Sequence, residues 1–255
     1  MMTTETDATT VPPIEHREAM ALAETAYGRF ADVVEGLTDD DWGRTTDCEG
    51  WTVRDLVGHM VGAMRAAASM REQVSQQREI MQRLRRQGGN MVDHMTQVQV
   101  DRAVGLDTTA LTTECRTLVS SATAGRRRTP APMRRLVSMR VQMGETIDEK
   151  WRLGYLVDVI LTRDVWLHPM DLCRDIGVEP ELTADHDGRI VAEVAAEWAR
   201  RHGRPHRLVL TGPAGGTFSS GDPDAETIEL DAVEFCRILS GRAEGPGLLA
   251  TTVPF

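Results

Sequence analysis

Lysine is almost missing from this 255-residue chain: Lys150 is its single example, and arginine supplies the rest of the 29 basic side chains. That bias matches the codon habit of a GC-rich genome and imposes no fold. Acidic residues outnumber basic ones by 39 to 29, for a net charge of -10. A polyanion such as DNA is repelled on average, so a nucleic-acid role needs a local basic patch. The best patch, Arg126-Arg127-Arg128 with Arg134 and Arg135, has no aromatic residues alternating with it. It reads as a solvated turn and helix face, and no nucleic-acid partner is expected. Paired cysteines are missing too. Cys48, Cys115, Cys173 and Cys236 are scattered without a C-x-x-C spacing, which speaks against an extracellular disulfide scaffold. No run reaches the ~18 uncharged apolar residues of a membrane span, and the polar, Thr-rich start lacks the apolar core of a signal peptide. The expectation is a cytoplasmic protein with no membrane partner. Hydrolase and phosphate-loop signatures are also absent: there is no G-x-S-x-G elbow and no H-E-x-x-H pair, and Gly215-Gly216 lacks phosphate-loop spacing.

What the chain does have is helical periodicity and enough length to bury a large core. Residues 1–13 read as a disordered tail closed by Pro12-Pro13. Beyond it, Ala19, Leu22, Ala26, Phe30, Val33 and Leu37 recur at helical spacing. Thr52 followed by Asp55 resembles a capping box, opening a helix with Val53, Leu56, Met60 and Ala63 on one face and a stop as late as Gly88-Gly89. Further helices are expected over 91–104 and 109–124, and a short one after the turn at Thr129-Pro130. The stretch from Tyr155 to Ile176 is too long for a strand and reads as a helix ending at Gly177. Past Pro180 the pattern changes to a helix over 187–201, strands over 207–211 and 227–230, and a helix capped by Asp231 that ends at Gly241. The fold class expected is α+β, with a helical bundle over 14–177 and a small α+β domain over 178–255.

One constellation carries chemistry. Asp164 and His168 are four apart on the long helix and so share a face. His59 lies at the edge of the inward face of its own helix. Two packed helices can present two imidazoles and a carboxylate to one point, where bundle metal sites are built. Three protein ligands leave a position for water or substrate, as in catalytic Zn²⁺ sites. The spacing alone is common and more often marks a structural hydrogen bond or a surface pair. Pro169 inside the helix breaks a local rule beside the candidate ligand, which marks function or a harmless kink. His94, His186, His202 and His206 sit in polar surroundings and read as surface residues, and Cys173 reads as core.

Gly50-Trp51-Thr52-Val53-Arg54-Asp55-Leu56-Val57-Gly58-His59 resembles the first metal-ligand segment of the mycothiol-dependent maleylpyruvate isomerase family, within the DinB-like superfamily. Thr162-Arg163-Asp164-Val165-Trp166-Leu167-His168-Pro169-Met170-Asp171 resembles the second. The resemblance implies a DinB-like four-helix bundle and Zn²⁺ or a similar divalent ion on His59, Asp164 and His168. The founding member has Glu where this chain has Asp164, a side chain one methylene shorter. The metal then sits nearer the helix or is bound in a different geometry. The ending Leu230-Asp231-Ala232-Val233-Glu234-Phe235-Cys236-Arg237-Ile238-Leu239-Ser240-Gly241-Arg242 resembles the family's sterol-carrier-like C-terminal domain. There the implied substrate-binding arginine is Arg242. Gly241 lets the chain turn Arg242 back toward the bundle, while an arginine resting on the last carbonyls of its helix is an equal alternative. The family is largely actinobacterial, where mycothiol replaces glutathione.

The resemblance therefore implies a metal-dependent isomerase or S-transferase with mycothiol as co-substrate and a small electrophile as partner. A non-catalytic metal-binding or regulatory bundle is the main alternative, and a redox-active 2-His-1-carboxylate iron site is a third.

Overall fold

The computed structural model describes residues 5–48, 50–143, 147–222 and 224–255. The segment read as a tail is ordered where it is described. Glu5–Asp7 forms β1, Asp7 Oδ1 accepts from the Thr9 N–H at 2.8 Å to cap a single 3₁₀ turn, and Ala8 and Ile14 are buried. A three-residue strand of Glu, Thr and Asp is held by backbone pairing, so no hydrophobic pattern announces it. The segment up to Ile14 groups with Glu181–Phe255 as one compact unit, and Glu15–Pro180 forms the other.

The second unit is helical: α1 (His16–Glu35), α2 (Val53–Ala68), α3 (Met70–Gln87), α4 (Met91–Ala103), α5 (Thr108–Arg127), α6 (Ala131–Leu136) and α7 (Leu161–Ile176). Helix α1 packs on α5 and α7, α2 on α4, α5 and α7, and α3 on α4 and α2. Phe30, Leu56, Met60, Met64, Leu111, Trp166 and Leu167 fill the core at no more than 1% exposure, each contributing about 1.5–3 kcal/mol of burial. Periodicity alone suggests one helix from 53 to 88, yet the chain breaks at Ser69 (φ -131°, ψ 118°). The cause is α5: a Cβ on Gly125 would lie 1.9 Å from the Ala67 carbonyl oxygen, so α5 presses on the last turn of α2. Ser69 then caps α3, its Oγ accepting from the Glu72 N–H at 3.4 Å.

Between α6 and α7 lies a hairpin that the sequence reading did not anticipate, β2 (Ser138–Met143) antiparallel to β3 (Ile147–Arg152). Val141, Ile147 and Trp151 pack inward against Ile160. The alternation is visible in the sequence except at Glu149, which accepts from Trp151 Nε1 at 2.9 Å. Tyr155–Ile160 then winds as a π-helix directly into α7. Arg126, expected on a solvated face, is instead buried and donates to Val157 O at 2.7 Å, Leu161 O at 3.1 Å and Thr162 Oγ1 at 2.7 Å. It ties α5 to the π-helical turn and to the first residues of α7. Asp158 in the same turn is held by His16 Nδ1 at 2.7 Å and Arg134 at 2.8 Å.

The other unit carries a π-helical turn (Ala184–Gly188) into α8 (Arg189–His202), then β4 (His206–Thr211), β5 (Gly216–Ser220), β6 (Thr227–Asp231) and α9 (Ala232–Leu239). The sheet order is β1-β5-β4-β6, with β1–β5 and β4–β6 parallel and β4–β5 antiparallel. Strand β5 begins within the Gly215-Gly216 stretch that the sequence presents as a turn. Among the described residues no helix is long and apolar enough to cross a membrane.

His202 and His206, expected at the surface, instead pack edgewise on Trp198 with ring centroids 4.3 and 4.8 Å away, and His206 is 1% exposed. Arg204 fixes both tautomers: its N–H donates to His202 Nδ1 at 3.0 Å, and its carbonyl accepts from His206 Nδ1 at 3.2 Å. Burial, with His206 and Arg204 beside it, pushes the His202 pKa down to about 4. The unfolded chain therefore binds this proton more readily than the folded one. The contribution is complete above the unfolded value of about 6.5 and is lost as the pH falls from there toward about 4. Thermal melts across that window should show Tm falling with pH, and His202→Gln should flatten the slope. An unchanged slope in the variant contradicts the assignment.

Candidate metal centre

The first half of the centre is set by the start of α2. Asp55 Oδ2 accepts from the Thr52 N–H at 2.9 Å, while Thr52 Oγ1 accepts from the Asp55 N–H at 3.3 Å, a complete capping box. The preceding loop is pinned by the Thr46 N–H to Trp51 O and Trp51 N–H to Cys48 O bonds, both 3.0 Å. His59 lies two turns into α2, buried at 4% exposure, with the Trp51 ring 5.1 Å away. The second half comes from α7, where Asp164 and His168 share a face. His168 is 5% exposed, while the Asp164 side chain keeps 29% exposure and so opens the group to solvent.

The fold brings together all three residues that the sequence reading expected to converge. Donor atoms of His59, Asp164 and His168 lie within 4.8 Å of one another. The two imidazoles meet edge to face, with centroids 5.1 Å apart at 73°. His168 Nε2 stands 3.3 Å from Asp164 Oδ1. Ligands about 2.0–2.1 Å from a tetrahedral Zn²⁺ are separated by roughly 3.3–3.4 Å, so this edge already has the length a shared ion requires. Two nitrogens and an oxygen also suit a borderline divalent cation. The donor set fits.

Electrostatics favours a positive charge at this point. Burial is the largest single influence on His168 and disfavours its protonation, but Asp164, Asp171 and Cys48 together outweigh it and hold the imidazole well above the ordinary histidine range. A cation is the guest such a group selects. Asp171, three residues beyond His168, is fully buried, and its Oδ2 lies 3.4 Å from His168 Nδ1. Nothing in the sequence alone gives Asp171 a role. The available signal was its i+3 spacing, which places a carboxylate on the far side of the ring. Cys48 was likewise passed over; with His168 and Asp171 it forms a second donor group within 4.8 Å. A neutral imidazole has one lone pair, so the tautomer of His168 decides which group can take an ion. Pro169 sits inside α7 without ending it. Having no N–H, it leaves the carbonyl one turn back, at Val165, without its helical donor.

Arg242 lies on the other unit. It follows α9 in a Schellman turn: Gly241 takes φ 86°, the Gly241 N–H donates to Ile238 O at 3.0 Å and the Arg242 N–H to Arg237 O at 2.9 Å. Its side chain is half-exposed. Cys173 is buried as expected, and burial pushes its thiol up to about 11, which makes it inert as a nucleophile.

Comparison with known proteins adds the family. The crystal structure of the mycothiol-dependent maleylpyruvate isomerase is similar, with a TM-score of 0.55 and 17% identity over 93% of this chain and 92% of that chain. A histidine-to-alanine mutant of that enzyme gives a TM-score of 0.54 at the same identity and coverage. At this identity the likeness is one of fold. None of the curated protein sequences compared with the chain matches it. The family model described as the mycothiol maleylpyruvate isomerase N-terminal domain matches residues 23–173, more than half of the chain and the whole stretch that holds His59, Asp164, His168 and Asp171. The chain belongs to the mycothiol maleylpyruvate isomerase N-terminal domain family.

Proposed function

We propose that the protein is a metal-dependent enzyme that uses a low-molecular-weight thiol, mycothiol, for isomerisation of or thiol transfer to a small electrophile bearing a carboxylate. The observation that carries this reading is the convergence of two buried imidazoles and one half-exposed carboxylate within 4.8 Å, in a chain of this family. His59, Asp164 and His168 would hold the ion, Zn²⁺ or a similar divalent cation. Such an ion supplies Lewis acidity: a free thiol has a pKa of about 8.5, and coordination deprotonates it outright. The chain's own residues supply the rest. Asp171, with Oδ2 3.4 Å from His168 Nδ1, is the carboxylate placed to orient an Nδ1–H of His168, which would leave the Nε2 lone pair facing Asp164. Burial of His59 and His168 keeps water away from one side, while Asp164 marks the open side where the thiol and substrate enter. The thiolate adds to an activated double bond. In an isomerisation the enolate adduct rotates about the new single bond and expels the thiolate again; in a transfer the enolate takes up the proton that the thiol lost, and the protonated adduct is the product. Arg242 pairs with the substrate carboxylate, for which its planar fork is suited.

Equilibrium dialysis against zinc tests the centre. The protein should take up about one ion per chain, and His59→Ala and His168→Ala should each abolish most of the uptake. Asp164→Asn should weaken binding while the fold survives, and Asp171→Asn should weaken it by about 10–100-fold. Full occupancy in the doubly substituted His59→Ala, His168→Ala protein removes the site. Thiol-dependent turnover, with mycothiol compared against glutathione, tests the enzyme; metal uptake without any such turnover leaves a non-catalytic bundle.

Arg242 has its own test on an acidic substrate found in that screen. Arg242→Lys should keep metal content and Tm yet lower kcat/KM by about tenfold or more, since lysine loses the bidentate geometry. Unaltered kinetics in both Arg242→Lys and Arg242→Ala place the residue outside the site.

A further inference from the structure

The outward face of the β2–β3 hairpin is built against its own electrostatics. Arg140 and Lys150 stand directly opposite each other across the strands, and Arg152, on the same face as Lys150, stands opposite Ser138. Like charges in that position destabilise a strand pair. Asp148 takes up Arg140 through two bonds of 2.7 Å. The side chains of Lys150, the chain's single lysine, and Arg152 have no hydrogen-bond or ion-pair partner among the described residues. Helix α6 adds Arg134, tied to Asp158 at 2.8 Å, and Arg135, which has no such partner among the described residues either. These four cations, with Trp151 and Tyr155, line an open cleft of about 360 Å³. Three uncompensated positive charges thus share one concavity in a chain whose net charge is -10.

We propose that this cleft between α6 and β3 binds a small polyanion, a molecule carrying two or more carboxylate or phosphate groups. Cations reach it from two elements, so one multiply charged ligand can be gripped from both sides and relieve the repulsion between them. The volume is that of a small-molecule pocket. A nucleic-acid strand fits less well, because Trp151 is 3% exposed and offers no open ring face for base stacking. The assignment uses none of the metal donors. Tyr155 precedes Asp164 by nine residues, about two helical turns, and the cleft lining shares no residue with the metal donors, so the cleft stands or falls independently of the metal reading.

Isothermal titration of the full-length protein with tripolyphosphate, and separately with citrate, at matched ionic strength tests the proposal and separates phosphate from carboxylate sources. Saturable 1:1 binding of at least one probe is expected. Lys150→Ala with Arg152→Ala should weaken it at least tenfold while zinc uptake is unchanged. Lys150→Gln and Arg135→Ala, each made alone, should weaken it several-fold, and because Lys150→Gln removes a like-charge contact, its Tm should stay level or rise. An equal loss of binding in Arg78→Ala with Arg85→Ala, on the exposed face of α3, would show diffuse electrostatics and overturn the assignment. So would the absence of saturable binding by either probe, or tighter binding of a single-stranded oligonucleotide than of both.

Discussion

The imidazole of His168 is held between two carboxylates, Asp164 at 3.3 Å from Nε2 and Asp171 at 3.4 Å from Nδ1. A ring buried to 5% exposure cannot turn freely to choose between them, and when neutral it has one lone pair to offer. Its neighbours therefore decide what the whole centre can do. If Asp171 takes the Nδ1 proton, Nε2 faces His59 and Asp164 as a ligand. With the opposite tautomer, the set formed with Cys48 and Asp171 becomes the available one. The two sets share the histidine and differ in hardness: one is nitrogen and oxygen throughout, the other includes a thiol.

Holding that ring in place needs two helices aimed with care, and the local structure supplies this at identifiable points. The Thr52–Asp55 capping box fixes where α2 starts and hence the height of His59. On the other side, the π-turn at Tyr155–Ile160 sets the entry into α7. A π-helical turn is rare, and here Arg126, His16 and Arg134 all bond to residues of it. Buried charges with these partners are costly to place. Their position upstream of Asp164 and His168 gives them a purpose, since a rotation of α7 at its start would swing both donors away from His59.

Much of this was legible in residue patterning. The capping box, the i,i+4 pair on α7 and the edge position of His59 follow from spacing, and the resemblance of their segments to a known family singles out the three residues whose donor atoms converge. The break at Ser69 was not legible, because periodicity continues through it and the cause, the close approach of α5 at Gly125, is a tertiary contact. Strand β1 escaped because a polar edge strand depends on its neighbour rather than on its own side chains. The hairpin was hidden by Glu149, which puts a carboxylate on the inward face and breaks the alternation. His202 and His206 looked like surface residues because the sequence around them is polar, while Trp198, which covers them, stands one turn before His202 on α8 and reaches His206 only across the turn that follows. Asp171 and Cys48 escaped for a different reason: Asp171 closes a recognised segment and Cys48 stands just ahead of one, but their relation to the far nitrogen of His168 exists only once the ring is placed.

The account turns on which side of His168 an ion occupies, and the two sides differ by one atom type. X-ray absorption at the zinc edge of the zinc-loaded protein, without added thiol, reads that atom directly. Binding by His59, Asp164 and His168 predicts a first shell of nitrogen and oxygen alone at about 2.0–2.1 Å, whereas a sulfur scatterer at about 2.3 Å would put the ion on Cys48 and contradict the assignment.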